Sequence, residues 1–139
     1  MSELKLRALT NTRRALGLGR SYTIGAEKPG MKRETKYRVV LVTCATLEEA
    51  RKIARGVVEK RLAACVNIVT HAVESFYTWE GKMENSSEYL LIMKTSEARV
   101  GELQKEVLSL HSYDTPEFIV LPIVAGSEAY LKWLGESTE

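Results

Sequence analysis

From Tyr37 onward the hydrophobic positions pass through a short continuous run, a helical period and a long extended stretch. Val39-Val40-Leu41-Val42 is apolar throughout and rich in β-branched residues, which predicts a strand in the centre of a sheet. Thr46 followed by Glu49 has the spacing of a helix capping box. Behind it Ala50, Ile53, Ala54, Val57, Val58 and Leu62 recur at helical intervals, with Arg51, Lys52, Arg55 and Glu59 on the other side. The pattern predicts an amphipathic helix from Leu47 to about Ala63. Cys65 to Trp79 is long and rich in β-formers. Glu80-Gly81-Lys82 supplies a turn in which Gly81 is free to take positive φ, and the chain returns through Tyr89–Lys94. Val100, Leu103, Val107 and Leu110 mark a second helix, and Pro116 holds Thr115 out of the helical region in the loop that follows. Phe118–Ile123 predicts another buried strand, and Ser127 caps a short last helix carrying Tyr130, Leu131, Trp133 and Leu134.

This order is β-α-β-β-α-β plus a C-terminal helix. The fold class it predicts is α+β, a ferredoxin-like βαββαβ sandwich with a long central hairpin. Two helices cover one face of a four-stranded sheet and leave the edge strands open to pairing. The hairpin aromatics Phe76, Tyr77 and Trp79 overshoot what two helices can hide. They are expected either to join subunits through sheet edges or to pack on the last helix.

Residues Met1–Lys36 follow a different rule. Arg7, Arg13, Arg14 and Arg20 stand among Ser, Thr and few acids, and Gly17, Gly19, Gly25 and Pro29-Gly30 interrupt any helix. A disordered or spurious leader is expected over 1–36, with Met31 as an alternative start, or else an organellar transit peptide. The domain proper is expected over 37–139, in the cytoplasm, or in an organelle if the leader is a transit peptide. A formal net charge of +2 does not point to a nucleic-acid partner, and the central strands lack the exposed aromatics that RNA binding by this fold requires. No run approaches the roughly 20 apolar residues of a membrane span, and no internal repeat is present.

Candidate chemistry is sparse. Soft ligands for copper or zinc are limited to Cys44, Cys65, His71 and His111, in four separate segments. Cys65, after an Ala-Ala pair, reads as a small buried apolar residue. Cys44 sits at a strand end beside a helix N-terminus, either structural or a ligand. His111 follows the last apolar position of the second helix, near Tyr113, Asp114 and Glu117, and reads as a loop anchor or a site residue. His71 is expected at the surface or an interface. Acid/base catalysis through His111 is conceivable in principle, but no nucleophile motif, phosphate loop or cofactor fingerprint accompanies it, so the chain is not read as an enzyme. Lys60, Lys94, Tyr113, Tyr130 and Trp133 stand at element ends, where they would line inter-subunit clefts for a small anionic ligand or make interface hydrogen bonds.

Five segments together resemble the CutA divalent-cation tolerance proteins. They are Glu59–Asn67, Tyr77–Lys82 including Trp79, Lys94-Thr95, His111–Glu117 and Tyr130-Leu131-Lys132-Trp133, in order from about Tyr37 to Glu139. The resemblance implies a tight homotrimer joined by inter-subunit strand pairing, with a core like that of the PII signalling proteins. It also implies tolerance to divalent metals, copper binding in some members, and no established catalysis. A cysteine assigned to copper in some bacterial relatives falls on Val42 here, with Cys44 two residues on, and an assigned histidine falls on Leu110. Of that ligand set Glu117 matches directly. The metal candidates are therefore Cys44, His111 and Glu117, for Cu(II) or another divalent ion.

Overall fold

The computed structural model describes residues 31–33 and 35–139. The leader expected over 1–36 lies, up to residue 30, outside the described residues. Met31–Arg33 form a short strand, β1, antiparallel to β7 (Ala125–Ser127). Strand pairing is thus already present ahead of Tyr37. The Thr35 hydroxyl donates to the Ile123 carbonyl and holds the following residues against the same region.

The main sheet is built on β2 (Tyr37–Cys44), which pairs along its whole length with β5 (Lys82–Ser96) and on its other side with β6 (Ile119–Pro122). β3 (Cys65–Ile68) pairs with the C-terminal part of β5, and β4 (Val73–Trp79) with its N-terminal part. The order is β3-β5-β2-β6, every pairing is antiparallel, and β4 continues β3 along one edge of β5. Between β3 and β4 the register slips: Ile68 faces Leu91 and Val73 faces Glu88, so Val69–Ala72 span the length of Tyr89 and Leu90. The hairpin closes on Glu80 and Gly81, at φ 50° and 78°. Positive φ at both positions of a two-residue loop gives a type I′ turn, whose twist matches that of the strands.

Helix α1 (Leu47–Glu59) and helix α2 (Val100–Leu110), entered through a 3₁₀ turn at Glu97–Arg99, cover one face. Ile53, Val57, Leu103 and Val107 pack there on Val40, Val42, Leu91 and Met93, all fully buried. α1 ends four residues short of its predicted limit. Arg61 takes φ 58°, and the Leu62 and Ala63 amides turn back to the Val57 carbonyl. A left-handed arginine is unusual. Here its guanidinium is anchored, donating to the Glu136 and Glu139 carbonyls at 2.5 and 3.2 Å. Glu136 lies in the last turn of helix α3 (Glu128–Ser137), where a cation also complements the helix dipole, and Glu139 follows just beyond it. α3 buries Leu131 and Leu134 outside the main core and lies close to Tyr37.

β6 differs from its prediction. Ile119, Val120 and Leu121 remain 39–45% exposed, because β6 is an edge strand with one neighbour among the described residues. Its last residue, Pro122, suits such an edge. Phe76, Trp79 and Met83 of the hairpin are more exposed still, at 55–76%. Among the described residues, nothing covers this sheet edge or the hairpin arm.

Candidate functional site

The corner where β2 ends gathers four of the predicted residues. Cys44, the last residue of β2, is fully buried, its thiol 3.6 Å from the Thr46 carbonyl. The Thr46 hydroxyl caps α1, accepting from the Glu49 amide at 3.1 Å. The Glu49 carboxylate does not complete the capping box. It accepts from the Ser112 amide at 2.5 Å and the Ser112 hydroxyl at 3.0 Å, tying the loop after α2 to α1.

His111 begins that loop with no side-chain exposure. Its Nε2 lies 2.7 Å from the Thr43 carbonyl, and its Nδ1 accepts from the Tyr113 amide at 3.0 Å. One donor and one acceptor is the pattern of the neutral ring with its proton on Nε2. Glu49 Oε1 stands 3.7 Å from Nδ1. A nitrogen already accepting an N–H has no proton to share, so this contact is not an ion pair. The His111 and Tyr113 rings meet at 4.8 Å between centroids.

The corner is electronegative. Glu88 of β5, only 8% exposed, reaches it from the same strand register as Val73. The Tyr113 hydroxyl is pushed up to about 12 by burial and then by the Glu88 carboxylate. The Glu117 carboxyl is raised by burial and by Glu88. The Cys44 thiol is pushed up to about 11 by burial and then by Glu49 and Glu88. The ion pairs between basic and acidic side chains among the described residues engage Glu97, Glu102, Glu106 and Glu136, leaving Glu88 and Glu117 without a cation. Sequence reasoning missed Glu88 and saw Glu49 only as a cap. The signal for Glu88 is its spacing from Leu90 and Ile92, which sets an acid on the strand face opposite Leu91 and Met93.

Lys94, Tyr130 and Trp133 lie elsewhere. Lys94 Nζ is 3.9 Å from the thiol of Cys65, which is half-buried and not enclosed as its Ala-Ala context suggested. Tyr130 and Trp133 pair ring to ring at 5.4 Å, each nearly half exposed. The Tyr130 hydroxyl is raised by burial and by Cys65. Lys60 stands apart, bridging α1 to Glu106 of α2 at 2.8 Å, and Trp79 sits at the hairpin tip opposite Lys82. His71 is exposed in the break between β3 and β4. None of these residues lines the groove of about 1030 Å³ between Tyr37, Arg99 and α3.

Within one chain, Cys44 and His111 are not arranged to hold a metal ion. Both imidazole nitrogens are engaged, the thiol is buried and held protonated, and a metal needs thiolate and a free ring nitrogen. Among the described residues no three His, Cys, Asp or Glu side chains converge to hold one.

Residues 38–137 match the family model described as CutA1 divalent ion tolerance protein. The chain is 49% identical over 100 residues to a chloroplastic CutA protein of Arabidopsis thaliana, covering 72% of this chain and 54% of that one, so it spans about half that relative's length. It is 41% identical over 103 residues to the divalent-cation tolerance protein CutA of Archaeoglobus fulgidus, covering 74% of this chain and 99% of that protein. The solved structure of the Thermus thermophilus divalent cation tolerance protein superposes with a TM-score of 0.72 at 45% identity, covering 74% of this chain and 99% of the other. The helices, the antiparallel sheet and the segments that first suggested the resemblance all fall within these matches, and the chain belongs to the CutA1 divalent ion tolerance family.

Proposed function

We propose that this protein serves divalent-cation tolerance as a non-catalytic, ferredoxin-like homotrimer. The strand order β3-β5-β2-β6 with two helices on one face supports the ferredoxin-like reading. The observation that carries the assembly is the uncovered apolar surface. Ile119, Val120 and Leu121 lie on one edge, and Phe76, Tyr77, Trp79 and Met83 on the arm along the other, all 39–76% exposed. Two unlike edges on one chain suit a head-to-tail contact that closes into a ring.

On this reading the metal, Cu(II) or another divalent ion, finds a complete ligand set only between subunits. Glu117, exposed beside β6, supplies one carboxylate of that set. Native mass spectrometry with and without Cu(II) and Zn(II) tests both parts. A trimer carrying whole-number metal supports the proposal, a bare trimer removes the metal site, and a monomer overturns the architecture. A PII-like sensor of a small anion is the second reading, favoured by Lys94, a half-buried cation with no carboxylate partner among the described residues. Catalysis through His111 is not proposed, since neither ring nitrogen is free to move a proton.

The chain is read as cytoplasmic, with an organelle as the alternative that the chloroplastic name of the Arabidopsis relative supports. Import of the tagged full chain into isolated organelles separates the two. No described helix is long and apolar enough to cross a membrane.

A further inference from the structure

Cys65 opens β3 directly opposite Lys94 of β5. Opposed residues of an antiparallel pair send their side chains to the same face, with Cβ atoms about 5 Å apart. The backbone register therefore keeps the Lys94 amine within reach of the thiol, and Nζ stands 3.9 Å from Sγ. Lys94 has no carboxylate partner among the described residues. The Cys65 thiol is half-buried, within reach of a small solute, whereas Cys44 is fully buried with its thiol pushed up to about 11.

The two cysteines cannot meet. Cys44 faces Tyr89, five positions along β5 from the partner of Cys65, which is about 17 Å of strand. Cys44 also points into the helix-covered core, beneath the opposite face of the sheet. The nucleophile at hand for an oxidised Cys65 is Lys94.

We propose that Cys65 and Lys94 are an oxidant-closed cross-link, in which a hydroperoxide converts the thiol and the amine to a sulfenamide. In the first step the sulfur attacks a peroxide oxygen. An S–O bond forms, the O–O bond breaks, and Cys65 becomes a sulfenic acid, oxidised by two electrons, while the peroxide is reduced and leaves as water or an alcohol. In the second step Lys94, after giving its extra proton to solvent, attacks that sulfur. An S–N bond forms, the S–O bond breaks, and the hydroxyl departs with an amine proton as water. The same condensation joins sulfenic acids to backbone nitrogens elsewhere, and thiols reverse it. The product fastens β3 to β5 and deletes a cation from the sheet face that α1 and α2 leave uncovered.

The test treats the full-length chain with hydrogen peroxide and reads tryptic peptides by mass. The expected product is a joined pair of peptides about 2 Da lighter than their sum, uncut at Lys94 and released by dithiothreitol. Cys44→Ala retains the link. Lys94→Arg, which keeps the charge, loses it and accumulates a Cys65 sulfenic acid that dimedone traps. The inference is overturned if wild-type Cys65 proceeds to sulfinic acid with Lys94 free, forms a disulfide between chains, or stays reduced while Cys44 oxidises.

Discussion

Replacing His111 decides whether that ring is an anchor or a ligand. The structure gives it two bonds, Nε2 to the Thr43 carbonyl at 2.7 Å and Nδ1 from the Tyr113 amide at 3.0 Å, with no side-chain exposure. His111→Ala removes both and leaves a void. About 1 kcal/mol for each bond and a similar amount for the void give a loss of roughly 3 kcal/mol. The amide variants divide that loss. Asn places an oxygen near the Nδ1 position and keeps the Tyr113 bond, while Gln places an amide near Nε2 and keeps the Thr43 bond. Each is expected to lose about half as much as Ala. Urea unfolding at fixed protein concentration measures the series. Hydrogen exchange at the Tyr113 amide gives a local reading, protected in wild type and Asn, fast in Gln and Ala. If all three variants stay within about 0.5 kcal/mol of wild type while metal binding disappears, His111 is a ligand and the anchor reasoning is wrong.

Other outcomes follow from the same contacts. A Cβ on Gly135 would stand 2.6 Å from the Tyr37 hydroxyl and 3.4 Å from its ring. Gly135→Ala is therefore expected to destabilise by about 1 kcal/mol despite better helix propensity, and to become stabilising in a Tyr37→Phe background, as thermal melts of the four proteins would read. Tyr113, raised from an ordinary value of 10 to about 12, ionises later folded than unfolded. Its contribution is whole below pH 10 and is lost as pH climbs towards 12, so an alkaline stability profile should flatten in Tyr113→Phe. Gly81→Val forces a β-branched residue to φ 78° at the hairpin tip, remote from the core. If the proposed trimer is joined through this arm, the variant is expected to shift it towards monomer at equal protein concentration, read by light scattering. Unchanged assembly would count against the hairpin as a bridge.

Elements with a strong period were legible in the sequence. The helices appear where Ile53, Val57, Leu103 and Val107 repeat, and β2 appears where Val39–Val42 run. Residues set by neighbours distant in sequence were not. Phe118–Ile123 looks buried because its composition matches that of a central strand, and composition does not say how many neighbours a strand has. α1 is shorter than its helical period predicts because Arg61 is no ordinary breaker. It turns left-handed where the far end of α3 holds its guanidinium. Glu49 fits a capping box until Ser112, distant in sequence, offers better donors. Cys65 and Lys94 are separated by a whole hairpin and become neighbours only through register.

The break between β3 and β4 has a consequence for how the arm varies. It adds two residues to one strand against its partner, an even number. Side chains alternate with period two, so an even insertion preserves parity: Tyr77 and Trp79 stay on the face that uninterrupted pairing would assign them. Shortening Val69–Ala72 by two residues would leave the arm's decoration as it is, whereas losing one would exchange Phe76 for Tyr77 across the ribbon. Reach and facing are thus separate variables in this hairpin, the first free to drift and the second quantised.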